Sequence, residues 1–152
     1  MMPRLASLLR RFTRVPLRRR VVAAVAVRRS ARDGVEFLLV HTSDGERWTL
    51  PKGGCDPGET PARAAAREAI EEAGAAGRIG SEPIAEYRYG DDVVTAFVLE
   101  VERDDLPAEP GRDPQWLEFE AARSRLAEGR APAYGAEIER VLLAAQRAIA
   151  VK

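Results

Sequence analysis

Residues 53–75 read GGCDPGETPARAAAREAIEEAGA, a glycine-rich loop followed by an alanine-rich, charged segment. Thr60 followed by Pro61 predicts the start of a helix, because threonine caps an N-terminus and proline suits the first helical position. Gly74 predicts its end, since glycine readily adopts the left-handed conformation that closes a helix. We therefore expect a helix from Pro61 to Ala73 behind a glycine-rich loop.

Apolar segments on both sides of this stretch predict further elements. The valine–alanine run 21–27 is typical of a strand buried on both faces. Other strands are expected at 36–40, 48–50, 84–89, 93–101 and 115–119, and helices at 120–126 and 136–151. The acidic, proline-containing segment 104–114 predicts a loop. This order of elements predicts an α/β fold in which a mixed β-sheet lies between helices.

Length and composition exclude several classes of protein. The chain has 152 residues, 45% of them hydrophobic, which suits one domain with a core of its own. No apolar run reaches the roughly 18 residues that a bilayer-spanning helix needs. The single cysteine, Cys55, excludes an internal disulfide framework and predicts a reducing compartment, the cytoplasm.

Charge is unevenly distributed along the chain. Residues 1–20 contain seven of the 24 basic residues and no acidic one, so residues 21–152 carry 17 basic against 24 acidic groups, a net charge of −7. We therefore divide the chain into a basic tail, 1–20, and a domain, 21–152, and expect no specific binding of nucleic acid. The tail is expected to be a mobile or loosely docked terminus, with contact to an anionic membrane surface as the weaker alternative.

Three glutamates of the predicted helix suggest chemistry. Glu68, Glu71 and Glu72 are three and four residues apart, so their carboxylates share one stripe of the helix. Like charges at this spacing destabilise a helix, by about a few tenths of a kcal/mol per pair, unless a cation lies between them. Oxygen ligands of this kind suit Mg²⁺ or Mn²⁺. With a glycine-rich loop that phosphates can approach, the pattern predicts metal-assisted attack of water on a phosphate anhydride.

An isolated Glu-x-x-Glu-Glu is usually a solvated helix face, but the whole string is similar to the signature box of the Nudix hydrolases. Every invariant position of that box is present: Gly53, Glu59, Arg67, Glu68, Glu71, Glu72 and Gly74. Ala69 and Ala75 stand where the family usually has larger aliphatic residues. The resemblance implies an α/β/α sandwich that hydrolyses a nucleoside diphosphate linked to another moiety, with Mg²⁺ or Mn²⁺, and a homodimer is a further expectation.

The resemblance also implies roles for individual residues. Metal is expected to be held by Glu68, Glu72, Glu71 and the backbone carbonyl of Lys52, with Glu71 alternatively the catalytic base. Glu59 and Arg67 are expected to be a supporting pair that holds the loop against the helix. Many members of the family recruit a further carboxylate from elsewhere, for which the candidates are Glu118, Glu120, Glu137 and Glu139.

The substrate is the least determined feature. Residues 48–54, WTLPKGG, are similar to the same region of diadenosine polyphosphate hydrolases and diphosphoinositol polyphosphate phosphohydrolases. We predict a nucleoside or dinucleoside polyphosphate, with two alternatives: a diphosphoinositol polyphosphate, against which the acidic hairpin near residues 87–92 counts, or a nucleotide-sensing module without catalysis. Candidate substrate contacts are Arg18, Arg19 and Arg20, which also fit the end of a basic tail, the Lys52 side chain, and Tyr89.

Overall fold

The structure, a computed structural model, describes residues 20–150, so Arg20 is the only residue of the predicted tail that it includes. Within this range the chain forms eight strands and three helices. The strands are β1 (Val21–Arg29), β2 (Val35–His41), β3 (Trp48–Thr49), β4 (Lys52–Gly54), β5 (Ala76–Ile79), β6 (Ala85–Tyr89), β7 (Asp92–Arg103) and β8 (Gln115–Glu118). The helices are α1 (Pro61–Ala73), α2 (Phe119–Ala127) and α3 (Pro132–Ala150).

β1 is the centre of the sheet. It pairs in parallel with β7 and antiparallel with β2 and β4, and the main strand order is β3-β2-β1-β7-β5. β6 also pairs with β7, and β8 with β2. One apolar cluster joins the sheet to α1 and the other joins it to α2 and α3, so helices cover both faces. The predicted α/β/α sandwich with a mixed sheet is therefore confirmed.

The side chains of β1 alternate between the two clusters, as its uninterrupted apolar sequence predicts. Ala23, Val25 and Val27 belong to the cluster on the α2–α3 side, and Val22, Ala24 and Ala26 belong to the cluster on the α1 side. All six are at most 1% exposed. A strand with both faces buried needs no polar positions, which is why it reads as a continuous valine–alanine run.

Helix α1 begins and ends where the sequence predicts. The Thr60 hydroxyl accepts a hydrogen bond from the Arg63 backbone N–H at 3.2 Å, and Pro61 is the first helical residue. Gly74 closes the helix with a φ of 64°. A Cβ at Gly74 would overlap the Leu106 carbonyl oxygen, so the loop after β7 packs directly against the end of α1. This contact brings residues 104–114 to the carboxylate-bearing helix.

Four details differ from the prediction. Residues 52–54, expected in a loop, form β4, and β5 (residues 76–79) was not expected at all. Both are short and rich in glycine, so only pairing with β1 and β7 makes them strands. Helix α2 begins at Phe119, expected to end a strand, and α3 begins at Pro132 rather than near residue 136, since proline is compatible with a first turn. Among the described helices, none combines the length and apolarity needed to cross a membrane.

Candidate active site

Arg67 organises the carboxylates of α1. Its Nε and Nη2 each donate a hydrogen bond of 2.9 Å to Glu59, and Nη2 also donates to the Gly54 carbonyl at 2.9 Å. Its Nη1 lies 3.0 Å from Glu68 and 3.3 Å from Glu71. The paired hydrogen bonds from Arg67 lower the pKa of Glu59 to about 2, so that ion pair persists at any ordinary pH. One guanidinium thus holds the loop on the helix and separates two carboxylates.

Gly53 leaves room for Glu68. It lies in β4 opposite Val22, and a Cβ built on it would overlap the Glu68 carboxylate. Glu68 is 9% exposed, and burial raises its pKa above the usual value for a glutamate. The missing side chain of Gly53 therefore lets a buried carboxylate lie directly against the backbone of β4.

Glu72 is the most buried of the three glutamates, at 4% exposure. Its Oε1 accepts a hydrogen bond from the Lys52 backbone N–H at 3.1 Å, and its Oε2 lies 3.6 Å from Nη2 of Arg112. Burial nevertheless raises the pKa of Glu72 to about 7. The Lys52 N–H and Arg112 together do not offset the cost of burying the charged carboxylate. A further cation beside Glu72 would lower its pKa and so favour the ionised form.

The donors suit a hard divalent cation, although they are not gathered around one point. Within residues 20–150, no three histidine, cysteine, aspartate or glutamate side chains are arranged as a metal-holding cluster. Arg67 lies between Glu68 and Glu71, while Glu72 turns towards the Lys52 backbone. Buried carboxylates beside a strand backbone are nonetheless the oxygen ligands that such cations prefer. Metal binding therefore has to compete with Arg67 for two of the three glutamates.

A cavity of about 660 Å³ opens beside Glu72. The basic residues that line it are Arg47, Lys52, Arg112 and Arg130, and the acidic ones are Asp44, Glu46 and Glu72. Glu68 and Glu71 are not part of its lining. A buried carboxylate at the edge of a cavity with four cationic side chains is suited to a ligand that carries several phosphates.

The loop 104–114 contributes two groups that the sequence analysis missed. Arg112 donates to the His41 carbonyl at 3.0 Å and to Glu109 at 2.9 Å, which orients its guanidinium towards the cavity. The Glu109 backbone N–H donates to the Glu71 carbonyl at 2.8 Å. Burial is the main cause of the raised pKa of Glu68 and Glu72, and the charge of Glu109 adds to it, which makes Glu109 a candidate for the extra carboxylate. Only the acidic composition of the loop hinted at this role.

The carboxylates nominated from the sequence make other contacts. Glu120 pairs with Arg123 at 2.9 Å, and Glu137 accepts a hydrogen bond from the Arg88 backbone N–H. Glu118 lies opposite Glu36 in the β2–β8 pairing, and Glu139 lies on α3. None of the four lines the cavity beside Glu72.

Two predicted substrate contacts meet in the cavity and the others do not. Lys52 Nζ lies 3.8 Å from the centre of the Tyr89 ring, and both residues line the cavity. Arg20 lines a different, mainly apolar pocket next to Pro61, while Arg18 and Arg19 lie outside the described residues. The acidic hairpin residues 91–92 also lie outside the cavity lining.

Sequence comparison identifies the family. The sequence model described as the NUDIX domain matches residues 17–136, and the chain therefore belongs to the Nudix family. Members of this family act on phosphorylated small molecules and generally use divalent metal ions.

Particular relatives divide between two substrate classes. Diphosphoinositol polyphosphate phosphohydrolase 3-beta of Bos taurus is 41% identical over 58 residues, which cover 38% of this chain and 35% of that protein. Asymmetrical bis(5'-nucleosyl)-tetraphosphatase of Mus musculus is 54% identical over 41 residues, covering 26% of this chain and 28% of that protein. The chain thus matches about a third of the length of these curated relatives.

Solved structures match over much more of the chain. A C. elegans Ap4A hydrolase in a binary complex has a TM-score of 0.67 and 25% identity, with 88% of this chain and 100% of that chain covered. A Nudix hydrolase of M. smegmatis, RenU, has a TM-score of 0.58 and 21% identity, covering 88% and 87% of the two chains. The second likeness shows the fold alone.

Proposed function

We propose that the chain is a metal-dependent pyrophosphohydrolase that cleaves a phosphoanhydride bond of a nucleoside or dinucleoside polyphosphate. The observation that carries this proposal is the position of Glu72, a buried carboxylate that lies both on the carboxylate stripe of α1 and at the edge of a cavity with four cationic residues. That arrangement joins metal-ligand chemistry to phosphate recognition in one place.

The metal site of the proposal consists of Glu68, Glu71, Glu72 and the backbone carbonyl of Lys52. A divalent cation there, Mg²⁺ or Mn²⁺, would offset phosphate charge and lower the pKa of water. Glu71 is the proposed base, since it is the most exposed of the three glutamates and its carboxylate can exchange Arg67 for water. The hydrogen bond from the Lys52 N–H orients Glu72.

The cationic residues of the cavity perform substrate binding in this proposal. Arg112 lies 3.6 Å from Glu72, and the Lys52 side chain lines the same cavity, so both would contact phosphates there. Arg47 and Arg130 lie on the same cavity and would hold the remainder of the polyphosphate chain. The C. elegans Ap4A hydrolase, matched over its full length, supports a dinucleoside or nucleoside polyphosphate as substrate.

Diphosphoinositol polyphosphates are the second candidate. One observation favours them beyond the similarity to the Bos taurus enzyme: the acidic residues Asp91 and Asp92 do not line the cavity, so they do not oppose a highly phosphorylated ligand there. Asp44 and Glu46 do line it and lower its net positive charge. A nucleoside or dinucleoside polyphosphate, with fewer phosphates, needs less compensating positive charge and is the better match.

Location and assembly complete the proposal. The single free thiol, Cys55, suits the cytoplasm. Homodimerisation and membrane contact by residues 1–20 rest on the family resemblance and on the tail arginines. Light scattering and vesicle co-sedimentation, each with the full chain and with a chain that begins at Val21, would test them.

The decisive experiment replaces Glu71 and Glu72 singly with Gln. Hydrolysis of diadenosine tetraphosphate and of ATP is followed by chromatography of the mononucleotide products, with Mg²⁺ and with Mn²⁺. We expect each variant to lose roughly 10²- to 10⁴-fold in kcat/KM, the usual range for a base or a ligand of the reacting group. A matched control is Glu82→Gln, an exposed glutamate in the β5–β6 connection that does not line the cavity.

Two outcomes would contradict the proposal. Unchanged activity in both variants would remove the mechanism, and tight nucleotide binding without hydrolysis at either metal would indicate a sensing module. Release of phosphate from a diphosphoinositol polyphosphate at a higher kcat/KM than from any nucleotide would instead select the second candidate.

A further inference from the structure

We propose that Arg130 determines which kind of substrate the cavity accepts. Its guanidinium lies against the rings of Tyr89 and Tyr134, where a nucleobase would otherwise stack. This part of the cavity would therefore bind the unesterified terminal phosphate of a substrate rather than a second nucleobase. The inference rests on the proposed function and names its substrate class, nucleoside polyphosphates with an unesterified terminal phosphate. Sequence analysis did not single out Arg130.

The first observation is that cations already cover these rings. Arg130 Cζ lies 4.7 Å from the centre of the Tyr89 ring and 4.8 Å from the centre of the Tyr134 ring. A second cation, Lys52 Nζ, lies 3.8 Å from the centre of the Tyr89 ring. Cation–π contacts of this length occupy the faces on which a base would stack.

The second observation is the mutual orientation of the two tyrosines. Their ring centres are 6.2 Å apart and the rings meet at 71°, edge to face. A base held between two aromatic rings needs those rings close to parallel. Tyr134 is also held against Tyr87, again edge to face at 70°, so the pair does not present a flat slot.

The third observation is that Arg130 is anchored but incompletely satisfied. Its Nη2 donates to the Trp48 carbonyl at 3.2 Å and to the Tyr89 hydroxyl at 3.3 Å, which ties the α2–α3 connection to β3 and β6. Its Nε and the Tyr134 hydroxyl are buried and have no hydrogen-bond partner among the described residues. Because the Arg130 side chain lines the cavity, its positive charge would attract an anionic oxygen such as that of a phosphate there.

The fourth observation is that Arg130 stands between two spaces. It lines the 660 Å³ cavity and also an adjoining pocket of about 390 Å³, which Tyr134 and Glu137 help to line. Arg47 also lines both the cavity and the pocket. Its side chain packs on Gly129, since its Nε would lie only 3.2 Å from a Cβ at that residue. Loss of the Arg130 side chain would therefore open the boundary between the two spaces, uncover the Tyr134 ring and leave Lys52 as the cation on Tyr89.

The test uses two probes that differ only by one adenosine, adenosine 5'-tetraphosphate and diadenosine tetraphosphate. The kcat/KM for each is measured with Mg²⁺ in the full chain, in Arg130→Met, which keeps length and removes charge, and in Arg130→Lys, which keeps charge and removes the planar guanidinium. Arg125→Met is the matched control, because Arg125 lies near the Trp48 ring at 5.9 Å but does not line the cavity.

We expect the unaltered chain to prefer adenosine tetraphosphate, and Arg130→Met to lower that preference about 10-fold, mainly through a higher KM for adenosine tetraphosphate. The preference of Arg130→Lys should lie between that of the unaltered chain and that of Arg130→Met. Arg125→Met should leave the ratio of the two kcat/KM values unchanged. A preference for diadenosine tetraphosphate in the unaltered chain, or the same ratio in Arg130→Met, would overturn the inference.

Binding of inorganic tripolyphosphate, measured by calorimetry, separates this inference from the proposed function. Arg130→Met should weaken the binding about 10-fold even where no hydrolysis is detected, since the lost contact is with the ligand and not with the reacting bond. If the chain hydrolyses neither nucleotide but shows this loss, the proposed function fails and the role of Arg130 stands. Equal tripolyphosphate affinity in the two folded proteins would remove that role.

Discussion

Arg67 and Arg130 each hold a cluster of side chains together, but they draw their partners from different distances along the chain. The groups bonded to Arg67 lie 1 to 13 residues from it in the sequence. Arg130 bonds to the Trp48 carbonyl and the Tyr89 hydroxyl, 82 and 41 residues away. In the proposed function, the reactive half of the site, around Arg67, is therefore a local structure on one loop and one helix, whereas the selective half, around Arg130, is assembled by the fold.

This difference gives the two halves different tolerances. A change in the Arg67 cluster displaces the carboxylates to which the proposed mechanism assigns the chemistry, so it should lower activity on every substrate. A change among Arg47, Arg112 and Arg130 alters contacts with the rest of the ligand, so it should mainly change KM and the choice of substrate.

Among the variants that test this comparison, the largest effect is expected from Gly53→Ala. The new Cβ would displace the Glu68 carboxylate, and a misplacement of about 1 Å near the chemistry costs about 100-fold in activity. Overpacking at this point should also destabilise the protein by about 1–3 kcal/mol. Activity and denaturant unfolding measure the two effects.

Two further variants isolate the clash. Gly135→Ala is the control, since its Cβ would meet Ala127 at an ordinary 3.5 Å and alanine favours a helix. Glu68→Asp in the Gly53→Ala background shortens the opposing side chain and should restore part of the stability. No recovery in the double variant would show that the overlap with Glu68 is not the cause.

Arg67→Met comes next. It leaves the carboxylates of Glu59, Glu68 and Glu71 without their shared cation, and loss of such an orienting group typically costs 10–100-fold in activity or metal affinity, here about 30-fold. Arg63→Met, an exposed arginine on the same helix, should change little. A fall in activity confined to one substrate, with others unaffected, would contradict a purely local role for Arg67.

Glu72 should make stability depend on pH in metal-free buffer. Its pKa is about 7 in the folded protein against an ordinary 4.5, so the folded state binds more protons between these values and the free energy of unfolding falls as pH rises through them. The expected loss from pH 4.5 to 8 is on the order of 2 kcal/mol, and Glu72→Gln should remove it. Added Mg²⁺ should restore stability at pH 8, because a cation favours the ionised carboxylate.

Urea unfolding of both proteins in EDTA across this pH range provides the measurement. Other titrating groups contribute equally to both, so the difference between the two curves reports Glu72. Parallel curves would show that the buried carboxyl titrates at its ordinary value.

The smallest effect is expected from Arg112→Met. Arg112 lines the cavity and lies 3.6 Å from Glu72, but Glu72 keeps its bond to the Lys52 N–H without it. We expect about a 5-fold rise in KM with little change in kcat, the result of losing one partly exposed charged contact. Arg103→Met, whose arginine pairs with Asp105 outside the cavity, is the control. A loss in kcat as large as that of Arg67→Met would place Arg112 in the reactive half.

The prediction of the fold from sequence succeeded where the signal was contained in one segment. Neighbouring residues alone predict three features: the cap at Thr60, the end of α1 at Gly74 and the burial of β1 on both faces. β4 and β5 were missed because strands of three and four residues that contain glycine have no periodicity of their own, and pairing with β1 and β7 makes them strands. Local propensity cannot report a partner that is distant in the sequence.

The same distinction applies to the candidate site. The spacing of Glu59, Arg67 and the three helix glutamates could be read directly, because a helix of known period brings such residues together. Arg112, Glu109 and Arg130 lie in connections without regular structure, where no period predicts a direction. Of the nominated substrate contacts, Lys52 and Tyr89 meet in the cavity only because β4 and β6 both pair with the central part of the sheet.

The sequence by itself determined the helix, its carboxylate stripe and the family, since capping, helical spacing and a 23-residue string are properties of a continuous segment. The tertiary structure alone decided that Glu72 borders a cationic cavity and that Arg130 lies on two tyrosine rings. These contacts join residues up to 82 positions apart, and their formation depends on how the sheet and helices pack rather than on any neighbouring residue.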